Sequence, residues 1–151
     1  MLQRFDSFVT GITLCYKSIQ RIKSMETTEL GLKGTHVMCL FYLHHNQEGM
    51  TAAQLAVRCE EDKGAVSRTL AELTELGYVL PVESDGKKKY RALIQLSDAG
   101  NQVAEKVDTL ISGWVSAVGE GLSEAERESF YYALGVISEN LKHKTSDRAK
   151  G

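Results

Sequence analysis

The sequence predicts a mainly α-helical chain that carries one small β-hairpin, and three observations predict it. Pro81 is the only proline in 151 residues, so little interrupts long helices. Apolar side chains recur at spacings of three and four over most of the chain. The stretch from Val79 to Leu96 breaks that rhythm: Val79 to Glu83 and Lys89 to Leu96 are rich in β-branched, aromatic and leucine residues, with the turn pair Asp85-Gly86 between them.

Each element follows from local chemistry. Residues 3–26 place Phe5, Phe8, Val9, Ile12, Cys15, Tyr16, Ile19 and Ile22 on one helical face. Gly31 and Gly34 break that pattern, and Val37 to Leu43 reads as a short buried helix. Thr51-Ala52-Ala53-Gln54 is a capping-box sequence that opens a helix to about Cys59. Glu60-Glu61-Asp62 makes the turn, Asp62 caps a helix from Lys63 to Leu76, and Gly77 supplies its left-handed stop. After the hairpin, Ser97 caps a long helix over 98–118, ended by Gly119 and Gly121. Ser123-Glu124-Ala125-Glu126 is a second capping box and starts a last helix with Phe130, Leu134, Ile137 and Leu141 on one face. The tail Lys142–Gly151 is polar and is expected to fray. Two short helices joined by a tight turn and followed by a hairpin make a winged helix–turn–helix, with apolar helices left over at both ends.

Size and charge narrow the function. A chain of 151 residues is expected to form a single domain, with the winged core over about 33–96 and the helices over about 3–26 and 98–142 outside it. The longest wholly apolar run, Val37 to Leu43, is seven residues, so no membrane span is expected, and the N-terminus shows no secretory pattern. Three cysteines without CxxC spacing favour a reducing cytoplasm. The net charge of −2 argues against nucleic acid as a partner, but the distribution does not. Residues 97–151 carry −3, whereas Ser84–Leu96 alone carries +3 through Lys87, Lys88, Lys89 and Arg91 against Asp85. Such a stripe is the local footprint of a phosphate-binding surface.

The helix from Lys63 to Leu76 has the polarity that insertion into a DNA groove needs. Val66, Leu70 and Leu73 cluster inward, Lys63, Gly64, Ser67 and Arg68 lie off that face in the first half, and Glu72 and Glu75 occupy the second half. The positive end of the helix dipole coincides with the basic half. Arg68 has the fork geometry to hydrogen-bond guanine, and Ser67 is small enough to approach a base edge. Gly64 costs helix propensity, which suggests close backbone approach. The candidate DNA-contacting set is therefore Thr51, Asp62, Lys63, Gly64, Ala65, Ser67 and Arg68 on the helix pair, with Lys87, Lys88, Lys89 and Arg91 on the hairpin.

These residues carry a resemblance to the MarR family of regulators. Its most specific parts are Glu61-Asp62-Lys63-Gly64-Ala65-Val66-Ser67-Arg68, Leu73 to Tyr78, and Leu93-Ile94-Gln95-Leu96-Ser97-Asp98-Ala99-Gly100, where Ser97 stands in the place of the family's threonine. The resemblance implies a homodimeric transcription regulator whose terminal helices pair, with Phe5, Phe8, Ile12, Ile19, Phe130, Leu134, Ile137 and Leu141 at the dimer contact. It also implies a cleft that takes a small-molecule effector. Two departures stand out: Gly86-Lys87-Lys88-Lys89-Tyr90-Arg91 replaces the family's Asp-x-Arg brace, and Lys33 stands where many members carry a capping threonine.

Sensing candidates are weighed against packing. Cys15 invites a redox reading, since one branch of the family senses hydroperoxides through a first-helix cysteine, but it lies in the apolar stripe between Ile12 and Ile19 and is expected to pack. Cys39 and Cys59 read as core. His36, His44, His45 and Glu48 are considered as metal ligands; the two adjacent histidines should face apart and the fifth helix has no histidine, so surface or helix-end roles are expected and no metal. No catalytic motif and no cofactor site appears. The expected function is a sequence-specific repressor that binds a near-palindromic duplex as a homodimer, released by an anionic or aromatic effector. The alternatives are a winged-helix protein-interaction module and a thiol-based sensor that uses Cys15.

Overall fold

The computed structural model describes residues 2–81 and 92–148, leaving aside the side chains of 23–29 and 146–148. Among the described residues six helices follow in order: α1 Leu2–Glu29, α2 Gly34–His44, α3 Ala52–Cys59, α4 Lys63–Glu75, α5 Asp98–Val118 and α6 Glu124–Arg148. They fall into two compact units, Met1–Ile111 and Ser112–Gly151.

In the first unit, α2, α3 and α4 pack against one another around Leu40, Leu55, Leu73 and Val66, each almost wholly buried. Ala104 and Val107 of α5 join the same core. Local caps set the helix starts as the sequence predicts. Gln54 N–H donates to Thr51 Oγ1 at 3.2 Å while Thr51 N–H donates to Gln54 Oε1 at 2.8 Å. Ala65 N–H donates to Asp62 Oδ1 at 2.8 Å. Between α3 and α4, Glu60 takes the left-handed conformation (φ 53°), uncommon for a side chain other than glycine or asparagine.

Strand pairing is sparser than expected. Among the described residues there are two isolated antiparallel bridges, Met50 with Ile94 and Val79 with Leu96, in place of two strands. The second bridge joins the two flanks of the segment 82–91 to each other, and the first ties its far flank to Met50, just before α3, a partner that sequence periodicity missed. The hairpin tip with Asp85, Gly86, Lys87, Lys88, Lys89, Tyr90 and Arg91 lies outside the described residues.

Two glycines let backbones meet. Gly49 adopts φ +89°, and a Cβ there would lie 2.8 Å from the carbonyl oxygen of Ile94, against which Met50 is bridged. Gly100, in the first turn of α5, faces the backbone of Tyr78; a Cβ would overlap the Tyr78 carbonyl oxygen and sit 2.8 Å from its carbon. Ser97 fixes that approach: its N–H donates to Tyr78 O at 3.0 Å, its hydroxyl donates to Gly77 O at 2.6 Å, and it accepts from Gly100 N–H at 3.0 Å.

In the second unit the predicted box at the start of α6 forms, with Ser123 N–H donating to Glu126 Oε2 at 2.8 Å. The Ser123 hydroxyl, and then that backbone hydrogen bond, hold the Glu126 carboxyl below its usual range. Arg127 closes the preceding turn by donating to Gly119 O at 2.9 Å and Leu122 O at 3.3 Å. The tail expected to fray from Lys142 instead remains helical to Arg148.

Both outer helices keep large apolar side chains in solvent. On α1 these include Phe5, Val9, Ile12 and Ile19, with Phe8 half-buried. On α6 they include Phe130, Tyr131, Tyr132, Ile137 and Leu141, with Leu134 half-buried. No helix among the described residues is long and apolar enough to cross a membrane.

Candidate nucleic-acid interface

The site is built on α4, whose inward face is fixed by Val66, Thr69 and Leu73. Rotating past that face brings Lys63, Gly64, Ser67 and Arg68 to the surface, all exposed, with Ala65 half-buried between them. The first half of α4 therefore offers one ammonium, one hydroxyl and one guanidinium beside the positive end of the helix dipole. Among the described residues, a Cβ on Gly64 would meet only the side chains of Asp62 (3.0 Å) and Arg68 (3.5 Å), so no described backbone requires the glycine.

Two members of the predicted set serve as the helix caps that the sequence predicts. Asp62 spends one carboxylate oxygen on the α4 amides, which makes it the residue that orients the helix start; a carboxylate would repel a phosphate. Thr51 is half-buried and caps α3 in the same way. Lys87, Lys88, Lys89 and Arg91 lie outside the described residues. Beside α4, a cavity of about 750 Å³ is lined by Lys63, Ser67, Leu70 and Thr74, by Ala52 and Ala53 of α3, and by Val79 to Pro81, Ala92 and Ile94.

The other end of α4 is anchored by a contact that the sequence did not announce. Glu72 accepts from Lys33 Nζ at 2.8 Å on both carboxylate oxygens and lies 2.7 Å from His36 Nε2. Lys33, in extended conformation at the α2 cap, cannot accept from the helix amides with its ammonium. The cap is served in reverse: Lys33 N–H donates to His36 Nδ1 at 3.3 Å. His36 thus takes the helix-end role among those expected, but buried and with both ring nitrogens engaged. Lys33 and then His36 hold the Glu72 carboxyl below its ordinary range.

His44 and His45 also find partners on another helix. His45, just past α2, places Nε2 2.9 Å from Asp108 Oδ2 of α5, while His44 meets Asn101 Oδ1 at 3.0 Å and Asp108 Oδ2 at 3.9 Å. The two were expected to face apart; because His45 leaves the helix at its cap, both turn toward α5. No set of three His, Cys, Asp or Glu side chains among the described residues has metal-binding geometry.

The cysteines divide likewise. Cys39 is core as expected and Cys59 is half-buried, whereas Cys15, expected to pack, is exposed on α1.

Comparison with known proteins agrees with this geometry. The sequence profile of the MarR family matches residues 30–88. No curated protein sequence matches the chain. Among solved structures, a MarR family transcriptional regulator from Listeria monocytogenes, complexed with a 26mer DNA, is similar at TM-score 0.80 and 22% identity, covering 95% of this chain and 94% of that one. A MarR family regulator from Neisseria meningitidis is similar at TM-score 0.77 and 14% identity, covering 96% and 98%. A MarR transcriptional regulator from Methanosarcina mazei is similar at TM-score 0.74 and 19% identity, covering 89% and 96%.

Proposed function

We infer, from a chain whose residues 30–88 match the MarR family and whose fold is that of MarR regulators, a DNA-binding transcription regulator that acts as a homodimeric repressor. The observation that carries this reading is the first half of α4: Lys63, Ser67 and Arg68 are exposed together, while Val66 and Leu73 lock the opposite face into the core. The similar Listeria protein was crystallised with DNA, which supports duplex DNA as the partner here.

Arg68 reads base edges, the hairpin lysines contact phosphate, and Asp62 orients the helix. Pairing of two copies through the exposed stripes of α1 and α6 sets two α4 helices in successive major grooves, about 10–10.5 base pairs apart, on a near-palindromic site. Patches of this kind are uncommon on monomers. A small anionic or aromatic effector releases the DNA by preferring one spacing of the two helices, since equal affinity shifts nothing. The exposure of Cys15 favours a second reading, in which release is driven by oxidation of that thiol.

The test compares the parent and Arg68→Ala on the best genomic site and on a scrambled duplex, by fluorescence anisotropy. Loss of about 1–3 kcal/mol on the specific site, with blurred preference at one symmetric position, is expected. Equal loss on both duplexes would make Arg68 a phosphate clamp and remove α4 from the groove.

A further inference from the structure

Helices α2 and α3 bring two thiols together that lie twenty residues apart in sequence: Cys39 Sγ and Cys59 Sγ are 3.9 Å apart. Cys39 is 1% exposed, whereas Cys59, in the last turn of α3, is half-buried and reachable from solvent. A hydrogen bond with Cys59, reinforced by burial, holds the Cys39 thiol far above its ordinary range. Cys59, the more exposed of the two, is therefore the sulfur that a small disulfide meets first, with Cys39 held behind it.

We propose that Cys39 and Cys59 form a reversible disulfide site, closed by low-molecular-weight disulfides, and that closing it weakens the DNA binding inferred above. Cys59 thiolate attacks one sulfur of the small disulfide, forming a mixed disulfide and releasing one thiolate. Cys39 then gives up its proton and attacks the Cys59 sulfur, forming the Cys39–Cys59 bond and releasing the second thiol. Two protein thiols lose two electrons in all, and one small disulfide becomes two thiols. Bridged sulfurs stand about 2.03–2.05 Å apart, so the pair has to close by about 1.9 Å.

That closure has a consequence for α4 because of where Cys59 sits. It is followed at once by the left-handed Glu60 and by Glu61, whose N–H is bonded to Ala56 O at 3.1 Å, and then by the cap Asp62. Drawing the end of α3 toward α2 moves this turn and with it the start of α4, where Lys63, Ser67 and Arg68 are displayed. The DNA effect rests on the reading proposed above; the chemistry at the two sulfurs does not.

The full-length Cys15→Ser protein, which keeps only this pair, is equilibrated in buffers of oxidised and reduced glutathione, alkylated and weighed. The expected result is a loss of two hydrogens and, after trypsin, residues 34–58 joined covalently to residues 59–63. The oxidised protein should bind duplex about tenfold more weakly, with recovery on adding dithiothreitol. Cys59→Ser and Cys39→Ala should each leave binding insensitive to glutathione ratio. Arrest at a glutathione adduct on Cys59, with Cys39 still alkylated, overturns the site, as does an intermolecular bridge. A disulfide that forms with no change in affinity overturns its effect on α4. If the reduced protein binds no duplex at all, the regulator reading fails while the mass result still decides the site.

Discussion

Gly100→Ala is the sharpest test of how α5 is seated. The added Cβ would overlap the carbonyl oxygen of Tyr78 and lie 2.8 Å from its carbonyl carbon and 3.1 Å from its Cα. Carbon atoms rest at about 3.5–4.0 Å, so the first turn of α5 must retreat by at least ~0.7 Å from a neighbour that is backbone and cannot rotate away. Overpacking of this kind costs about 1–3 kcal/mol. The retreat also stretches the Ser97 N–H bond to Tyr78 O, worth about 1 kcal/mol, while the better helix propensity of alanine returns about as much. The net expectation is a loss of about 1–3 kcal/mol, or roughly 3–10 °C in melting temperature for a chain of this size. Gly113, in the same helix, has nothing within 4 Å of a Cβ, so Gly113→Ala should gain about 0.5–1 kcal/mol. Thermal and urea unfolding of the three proteins at one fixed concentration decide the matter. Gly100→Ala melting at or above the parent would refute the close approach.

Three further outcomes are expected. Glu72 has a folded pKa below its ordinary 4.5 because Lys33 and then His36 favour its charged form, so its contribution is present above that value and is lost as pH falls through the lower one. The gap in urea midpoint between the parent and Glu72→Gln should therefore be larger at pH 7 than at pH 3, and a constant gap would contradict the clamp. Lys88→Ala should weaken specific and scrambled duplexes alike and flatten the salt dependence by about one unit for each phosphate no longer neutralised; a change in sequence preference would argue against a phosphate role. Sedimentation at micromolar concentration should find a dimer, and a stable, soluble monomer of 16.7 kDa would sink the pairing through α1 and α6.

What the sequence revealed was chemistry confined to one turn of chain. The caps at Thr51, Asp62 and Ser123, the stop at Gly77 and the inward face of α4 each depend on residues within a few positions, and all are found. The pairings it concealed join distant elements: Lys33 and His36 to Glu72, His45 to Asp108, and Cys39 to Cys59. No periodicity encodes such pairs, since a surface glutamate and one that anchors a helix share the same spacing. Gly100 was readable only as part of a motif; its reason, the backbone of Tyr78, lies across the chain. Exposure of Cys15 was misjudged because an apolar stripe identifies a face to be covered without saying by what.

The Glu72 clamp makes α4 a lever with its pivot at the far end. From Glu72 back to Lys63 is nine residues, about 14 Å along the axis, whereas Arg68 is only four residues, about 6 Å, from the same point. A tilt of about 5° at the pivot would therefore carry Lys63 through about 1.2 Å but Arg68 through about 0.5 Å. Hydrogen bonds tolerate a spread of about half an ångström, so in the DNA complex proposed above such a tilt would break a bond made by Lys63 and only strain one made by Arg68. Small displacements near Lys33 and His36 would thus be magnified at Lys63, and the proposed grip on DNA would loosen from the tip inward.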